Sequence, residues 1–292
     1  MKNETDIIMG NIQLEAFGEL FKSQNAIDKY KNKNYSCPFD NRIETCDKPN
    51  RGQLRYGNCS AKVGHHKRII CPRRFYENNF RILKDIKYFI WHNGDTIDCY
   101  DELGINIRTS EGDSFHYGNL DWILVNRERT SDFCGVEIQT DSTTGTGQFK
   151  NGIDDLLSGK LSENYSFGLN TLASFKGFLP QFIFKGQLFD DWKRPYCAVI
   201  QDELWDKFIK KFRIRYKEIE LFTTETFLFF VYSLEFDSTT NKYKLGNPKI
   251  YSTSWIDLLF SFSVESDLLI DLDDIRKRIE NKITRNDPII TI

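Results

Sequence analysis

A chain of 292 residues, 40 % apolar and 14 % aromatic, can bury a real core as one large domain or two small ones. Its 42 acidic and 40 basic residues leave a formal charge of -2, which excludes a globally basic polyanion binder; any nucleic-acid surface must come from local clustering. No charged start followed by an apolar stretch is present, and the longest apolar run, Phe227 to Leu234, is far too short to span a bilayer. A cytoplasmic protein without a membrane partner is the expectation.

In chain order, Leu14, Phe17, Leu20 and Phe21 recur at helical spacing and predict an opening amphipathic helix over residues 11–33. From Asn34 to Arg74 periodicity stops, and Cys37, Cys46, Cys59 and Cys71 appear in a stretch with few large apolar residues. Such a segment needs a staple. In a reducing compartment that staple is a metal and not a disulfide framework. The intervals of eight, twelve and eleven residues match no paired Cys-x-x-Cys signature, but four thiolates complete a tetrahedral shell for zinc or iron. Cys99, Cys134 and Cys197 lie in or beside apolar runs and read as ordinary buried thiols.

Phe80, Leu83, Ile86, Phe89 and Ile90 predict a helix over residues 75–92, ended by Asn93-Gly94-Asp95. Leu120-Asp121-Trp122-Ile123-Leu124-Val125 and Gly135-Val136-Glu137-Ile138-Gln139-Thr140 read as adjacent antiparallel strands around a charged turn. Glu137 and Gln139, two apart, share a face and converge with Asp121 from the neighbouring strand. Two carboxylates so placed suit a divalent metal beside a phosphodiester. Further on come helices near 153–161 and 169–192, with Pro180 starting a fresh segment, then a buried strand over Tyr196 to Gln201 and a helix from Glu203 to Arg213. A second hairpin within 221–252 and a charged helix over 266–282, with Leu268, Leu269, Leu272 and Ile275 inward, close the chain. The order is that of an α/β protein with a mixed sheet.

Basic residues cluster between Lys62 and Lys87. Arg51, Arg55, Lys62, Arg68, Arg73 and Arg74 in or beside the cysteine segment are the candidate DNA contacts. Glu77 is a candidate third acid, and Lys176 and Gln181 are candidates for the site or the DNA backbone. No Gly-x-x-x-x-Gly-Lys-Ser/Thr loop or Gly-x-Ser-x-Gly elbow is present, which argues against a nucleotide-dependent enzyme and a serine hydrolase.

The four-cysteine segment, the Asp121 and Glu137-Ile138-Gln139 strands, and the stretch from Ser174-Phe175-Lys176 through Leu179-Pro180-Gln181 to Tyr196-Cys197-Ala198-Val199-Ile200-Gln201-Asp202 together resemble the NotI-type restriction endonucleases of the PD-(D/E)XK nuclease superfamily. The resemblance covers roughly residues 35 to 210. It implies an α/β, PD-(D/E)XK-like mixed β-sheet core flanked by helices, divided as residues 1–74 with the four-cysteine site and 75–292 as the nuclease domain. It further implies a type II enzyme that hydrolyses double-stranded DNA at a palindromic site as a homodimer. Asp121, Glu137 and Gln139 would be catalytic, with Mg²⁺ on Asp121 and Glu137 and structural iron, or zinc, on Cys37, Cys46, Cys59 and Cys71. Two departures stand out: Gln139 occupies the usual lysine position, and no proline precedes Asp121. The competing expectations are a non-cleaving DNA-binding protein and a repair nuclease that reads DNA structure.

Overall fold

The computed structural model describes residues 10–46, 55–91, 94–108, 111–222, 224–261 and 272–284. The chain opens with strands β1 (Ile12–Ala16) and β2 (Glu19–Leu20), followed by helix α1 (Gln24–Lys31). The long opening helix is therefore replaced by a hairpin and a short helix. Phe17 and Gly18 both take left-handed backbone conformations, φ 50° and 74°, which a right-handed helix does not accommodate. Helix α1 starts only where the Ser23 hydroxyl can accept from the Ala26 N–H. Gln13 and Glu15 on β1 are buried, and the Glu15 carboxylate accepts from the Ser60 hydroxyl and the Arg74 guanidinium. Strands β3 (Asn58–Val63) and β4 (His66–Ile69) complete a sheet of order β2-β1-β3-β4.

After a short 3-10 turn, Pro72–Tyr76, helix α2 spans Glu77–Trp91. Its first residues, Asn78, Asn79 and Phe80, are left-handed, so a regular right-handed helix begins only beyond them. Among the described residues, seven strands then build the main sheet. They are β5 (Ile97–Arg108), β6 (Ser114–Asn126) and β7 (Phe133–Gln139), an antiparallel meander; β10 (Tyr196–Gln201) and β12 (Phe227–Tyr232), parallel to β7; and β15 (Lys249–Thr253) with β11 (Lys217–Glu218) at the far edge. Between β7 and β10 run the short pair β8 (Thr143–Thr144) and β9 (Gly168–Leu169) and helices α3 (Gly147–Ser158) and α4 (Thr171–Asp191). Helix α5 (Asp202–Phe212) links β10 to the last strands. The hairpin of β13 (Leu234–Asp237) and β14 (Lys242–Leu245) precedes β15, and α6 (Trp255–Ser261) and α7 (Leu272–Thr284) follow it. The part of the expected terminal helix before Leu272, with Leu268 and Leu269, lies outside the described residues.

This is a mixed α/β fold. Strands β10 and β12 are buried along their whole length, as parallel strands covered on both faces must be. One face packs on α2 through Ile82, Ile86, Trp122 and Val136; the other packs on α4 and α5 through Phe182, Phe189, Tyr196 and Phe208. A third cluster joins the N-terminal sheet to α3 through Phe17, Phe21, Phe149 and Ile153. Helix α4 passes through Pro180 without restarting, contrary to the expectation of a break there. Pro180 costs the helix one hydrogen bond, and the buried Phe175, Phe178, Phe182 and Phe189 on either side of it hold the helix to the sheet.

The N-terminal sheet is fastened to the C-terminal ends of β7 and β10. Gln201 accepts from the Ile69 N–H at 2.8 Å and donates to the Lys67 carbonyl at 2.6 Å, while the Asp141 N–H reaches the Ile69 carbonyl at 3.3 Å. Arg42 makes a second link. Its guanidinium lies 4.6 Å from the Trp122 ring and 5.1 Å from the Phe80 ring, and it bonds both Asp40 and Asp101.

Candidate active site

The antiparallel pairing of β6 with β7 sets Trp122 opposite Val136 and Ile123 opposite Gly135, and continuing that register puts Asp121 opposite Glu137. The Asp121 carboxylate accepts the Ile138 N–H at 2.7 Å. Its carboxyl group also lies within hydrogen-bonding reach of Glu137. Burial raises the Asp121 pKa, partly offset by the Ile138 N–H and by Lys185. Burial, and then the charge of Asp121, pushes Glu137 up to about 7. The two acids resist joint ionisation although Lys185 lowers the pKa of both.

A third acid stands on the other side. Strand β5 pairs Asp101 with Trp122 and Leu103 with Leu120, so Glu102 falls opposite Asp121. Glu102 takes a left-handed conformation, φ 52°, rare for a non-glycine residue inside a strand, and its charge bears on Asp121. Glu102, Asp121 and Glu137 thus occupy matched positions on three adjacent strands. Sequence reasoning missed Glu102, because its place depends on the register of a strand with no clear alternation.

Glu77 is spent elsewhere. It accepts from Arg74 and from the Leu245 N–H inside a buried Glu15–Arg74–Glu77 network. Gln139 is half-buried and donates to the Thr140 carbonyl at 2.6 Å, which leaves its side-chain oxygen to accept. Lys176 and Gln181 are exposed on α4, but one turn beyond Gln181 lies the fully buried Lys185. Its ammonium donates to Glu137 Oε1 at 2.5 Å, the Asn119 carbonyl at 2.5 Å and Gln181 Oε1 at 3.1 Å. Gly118 and Gly135 make room for this approach. A Cβ at Gly118 would sit 3.3 Å from Lys185 Cε, and one at Gly135 would sit 2.4 Å from the Phe189 ring. The Tyr196 hydroxyl is buried without a hydrogen bond of regular geometry and lies near enough to Glu137 to affect its charge.

Cys37, Cys46, Cys59 and Cys71 line one small cavity with Phe17, Pro38, Phe39 and Ile43. Cys59 and Cys71 are buried, and burial raises the thiol pKa of both Cys37 and Cys59. Cys134 and Cys197 are buried as expected, whereas Cys99 is exposed. As the side chains stand, no three His, Cys, Asp or Glu groups among the described residues form a ready ligand set.

The basic candidates separate sharply. Arg68 and Arg74 are fully buried and therefore offer no guanidinium to a DNA groove: Arg68 lies 3.6 Å from Asp141 and 3.5 Å from Glu203, and Arg74 is held by Glu15 and Glu77. Arg55 donates to the Cys46 carbonyl and Arg73 pairs with Asp40, so both brace the cysteine segment. Lys62 is half-exposed on β3 opposite Lys67. Arg51 lies outside the described residues.

Among the described residues no helix is long and apolar enough to cross a membrane. A search of the curated proteins finds no match. The family model for restriction endonuclease NotI matches residues 19–245, which takes in the cysteine segment, the acid array and helix α4. The chain belongs to the NotI restriction endonuclease family and is a type II site-specific deoxyribonuclease.

Proposed function

We propose that the enzyme hydrolyses phosphodiester bonds of double-stranded DNA with Mg²⁺ held by Asp121 and Glu137, assisted by Glu102. The observation that carries this reading is the matched placement of the three acids on β5, β6 and β7, with Glu137 pushed up to about 7 by burial and Asp121. Hard oxygen donors suit a divalent cation of the magnesium type, and Lys185 offsets only part of the charge of the three acids. Magnesium bound there supplies Lewis acidity toward the phosphate and a counter-charge to the transition state.

The protein's own part is orientation. The Ile138 N–H fixes one oxygen of Asp121, and the Gln139 side-chain oxygen is available to accept a hydrogen bond from the attacking water and so orient it. The α2, β5–β6–β7, α4, β10 order, with β7 and β10 parallel, supports a PD-(D/E)XK-like core. We read residues 1–74 as the four-cysteine part and 75–292 as the nuclease part, with α3 lent to the N-terminal core.

Cys37, Cys46, Cys59 and Cys71 would hold structural iron or zinc. Four soft donors around one apolar-walled space fit a thiophilic metal. Lys62, and Arg51 by its place in the sequence, remain the residues we assign to DNA. A palindromic target and a homodimer go together in this reading, since twofold symmetry presents one site to each strand.

The test is Glu137→Ala with gel-shift and cleavage assays run side by side. The variant should bind the target and fail to cut it. Cleavage at the wild-type rate would refute the site.

A further inference from the structure

The acid array has one cation built into it. Lys185 comes from α4, is fully buried, and has a protein acceptor for each of its three protons. A buried ammonium is costly unless paired in this way. Two of the three acceptors lie on the strands that carry the acids: Asn119 sits two residues before Asp121 on β6, and Glu137 is on β7. The third, Gln181, is four residues back on the same face of α4. The ammonium therefore ties β6, β7 and α4 together where the acids meet. Strand β7 itself offers no positive charge on that face, since the residue beside Glu137 is Gln139.

We propose that Lys185 is a positioning residue for the hydrolysis, delivering from α4 the positive charge that Gln139 does not deliver from β7. This rests on the reading of Asp121 and Glu137 as the hydrolytic site. A purely space-filling lysine could be replaced by a methionine of similar length, whereas a charge of this kind could be moved to another element that reaches the same carboxylates.

The experiment moves it. Full-length wild type, Glu137→Ala, Lys185→Met, Gln139→Lys and the Lys185→Met/Gln139→Lys double variant are compared on a short duplex carrying the sequence found at ends cut from genomic DNA. Single-turnover cleavage is measured, and Mn²⁺ affinity is read without DNA from the loss of free-ion EPR signal. Lys185→Met should cleave about 100-fold more slowly while its Mn²⁺ affinity stays within about threefold of wild type, and the double variant should recover about tenfold in rate. A Lys185→Met protein that cleaves like wild type, loses Mn²⁺ binding along with cleavage, or gains nothing from Gln139→Lys overturns the proposal. Glu137→Ala that cleaves like wild type overturns the underlying reading and the proposal with it. Should circular dichroism show Lys185→Met unfolded, Gln181→Leu replaces it, at a residue that is itself exposed although its side-chain oxygen accepts from Lys185. Its kcat should fall about fivefold with KM unchanged, and an unchanged kcat overturns the proposal.

Discussion

Metal-free protein should become less stable as the pH rises through neutrality, and Glu137 should be the main reason. In the folded chain its pKa is pushed up from the ordinary 4.5 to about 7 by burial and by Asp121. A raised folded-state value means that the native state holds the proton more tightly than the unfolded chain. The associated stability is complete below pH 4.5 and is lost as the pH climbs to about 7. The gap corresponds to about 3 kcal/mol at full effect, a large share of a domain's net stability. Asp121 shifts in the same direction and adds to the trend. The assay is urea unfolding in chelator at pH 5.5 and pH 8, wild type against Glu137→Gln. Wild type should lose about 2 kcal/mol more than the variant over that interval, and Mg²⁺ should shrink the loss by favouring the ionised carboxylates. Identical pH dependence in the two proteins would refute the electrostatic description of the site.

Gly135→Val should destabilise by about 1–3 kcal/mol in thermal unfolding, because a Cβ there would stand 2.4 Å from the Phe189 ring and α4 would have to shift. Arg74→Met should cost about 3–5 kcal/mol, since it leaves Glu15 and Glu77 buried without their shared cation; chemical denaturation measures it. Elemental analysis of the purified protein should find iron or zinc, and Cys59→Ser should abolish that content and lower Tm, while Cys99→Ser, at an exposed thiol away from the cavity, should change neither.

The strands bearing Asp121 and Glu137 were legible because apolar residues flank both acids and a charged turn separates them. The buried strand over Tyr196 to Gln201 was legible from its unbroken apolar character; the apolar run near 227–232 predicts an arm of a hairpin, and its parallel pairing with β10 depends on helix α5 between them. Glu102 was not legible, since nothing local in Asp101-Glu102-Leu103-Gly104 tells which residue will face Asp121; that is a property of strand register. Lys185 carries no local signal, since a helical lysine is ordinarily solvated, and the sequence marks Lys176 and Gln181 instead, both exposed. Arg68 and Arg74 read as part of a basic surface because their partners Glu15, Asp141 and Glu203 lie far along the chain, and only tertiary structure pairs them. The opening helix failed at Phe17-Gly18, where four apolar residues at helical spacing are reached through a left-handed turn. The gathering of the four cysteines around one cavity was foreseeable from their density, since a segment so poor in apolar residues has little else to organise it.

The most direct test of the account is to incubate the purified protein with mixed-sequence genomic DNA, in Mg²⁺ and in chelator, and to sequence every new end. The ends should need Mg²⁺ and share one short palindrome. Ends without a common sequence, or the same ends in chelator, would contradict the account.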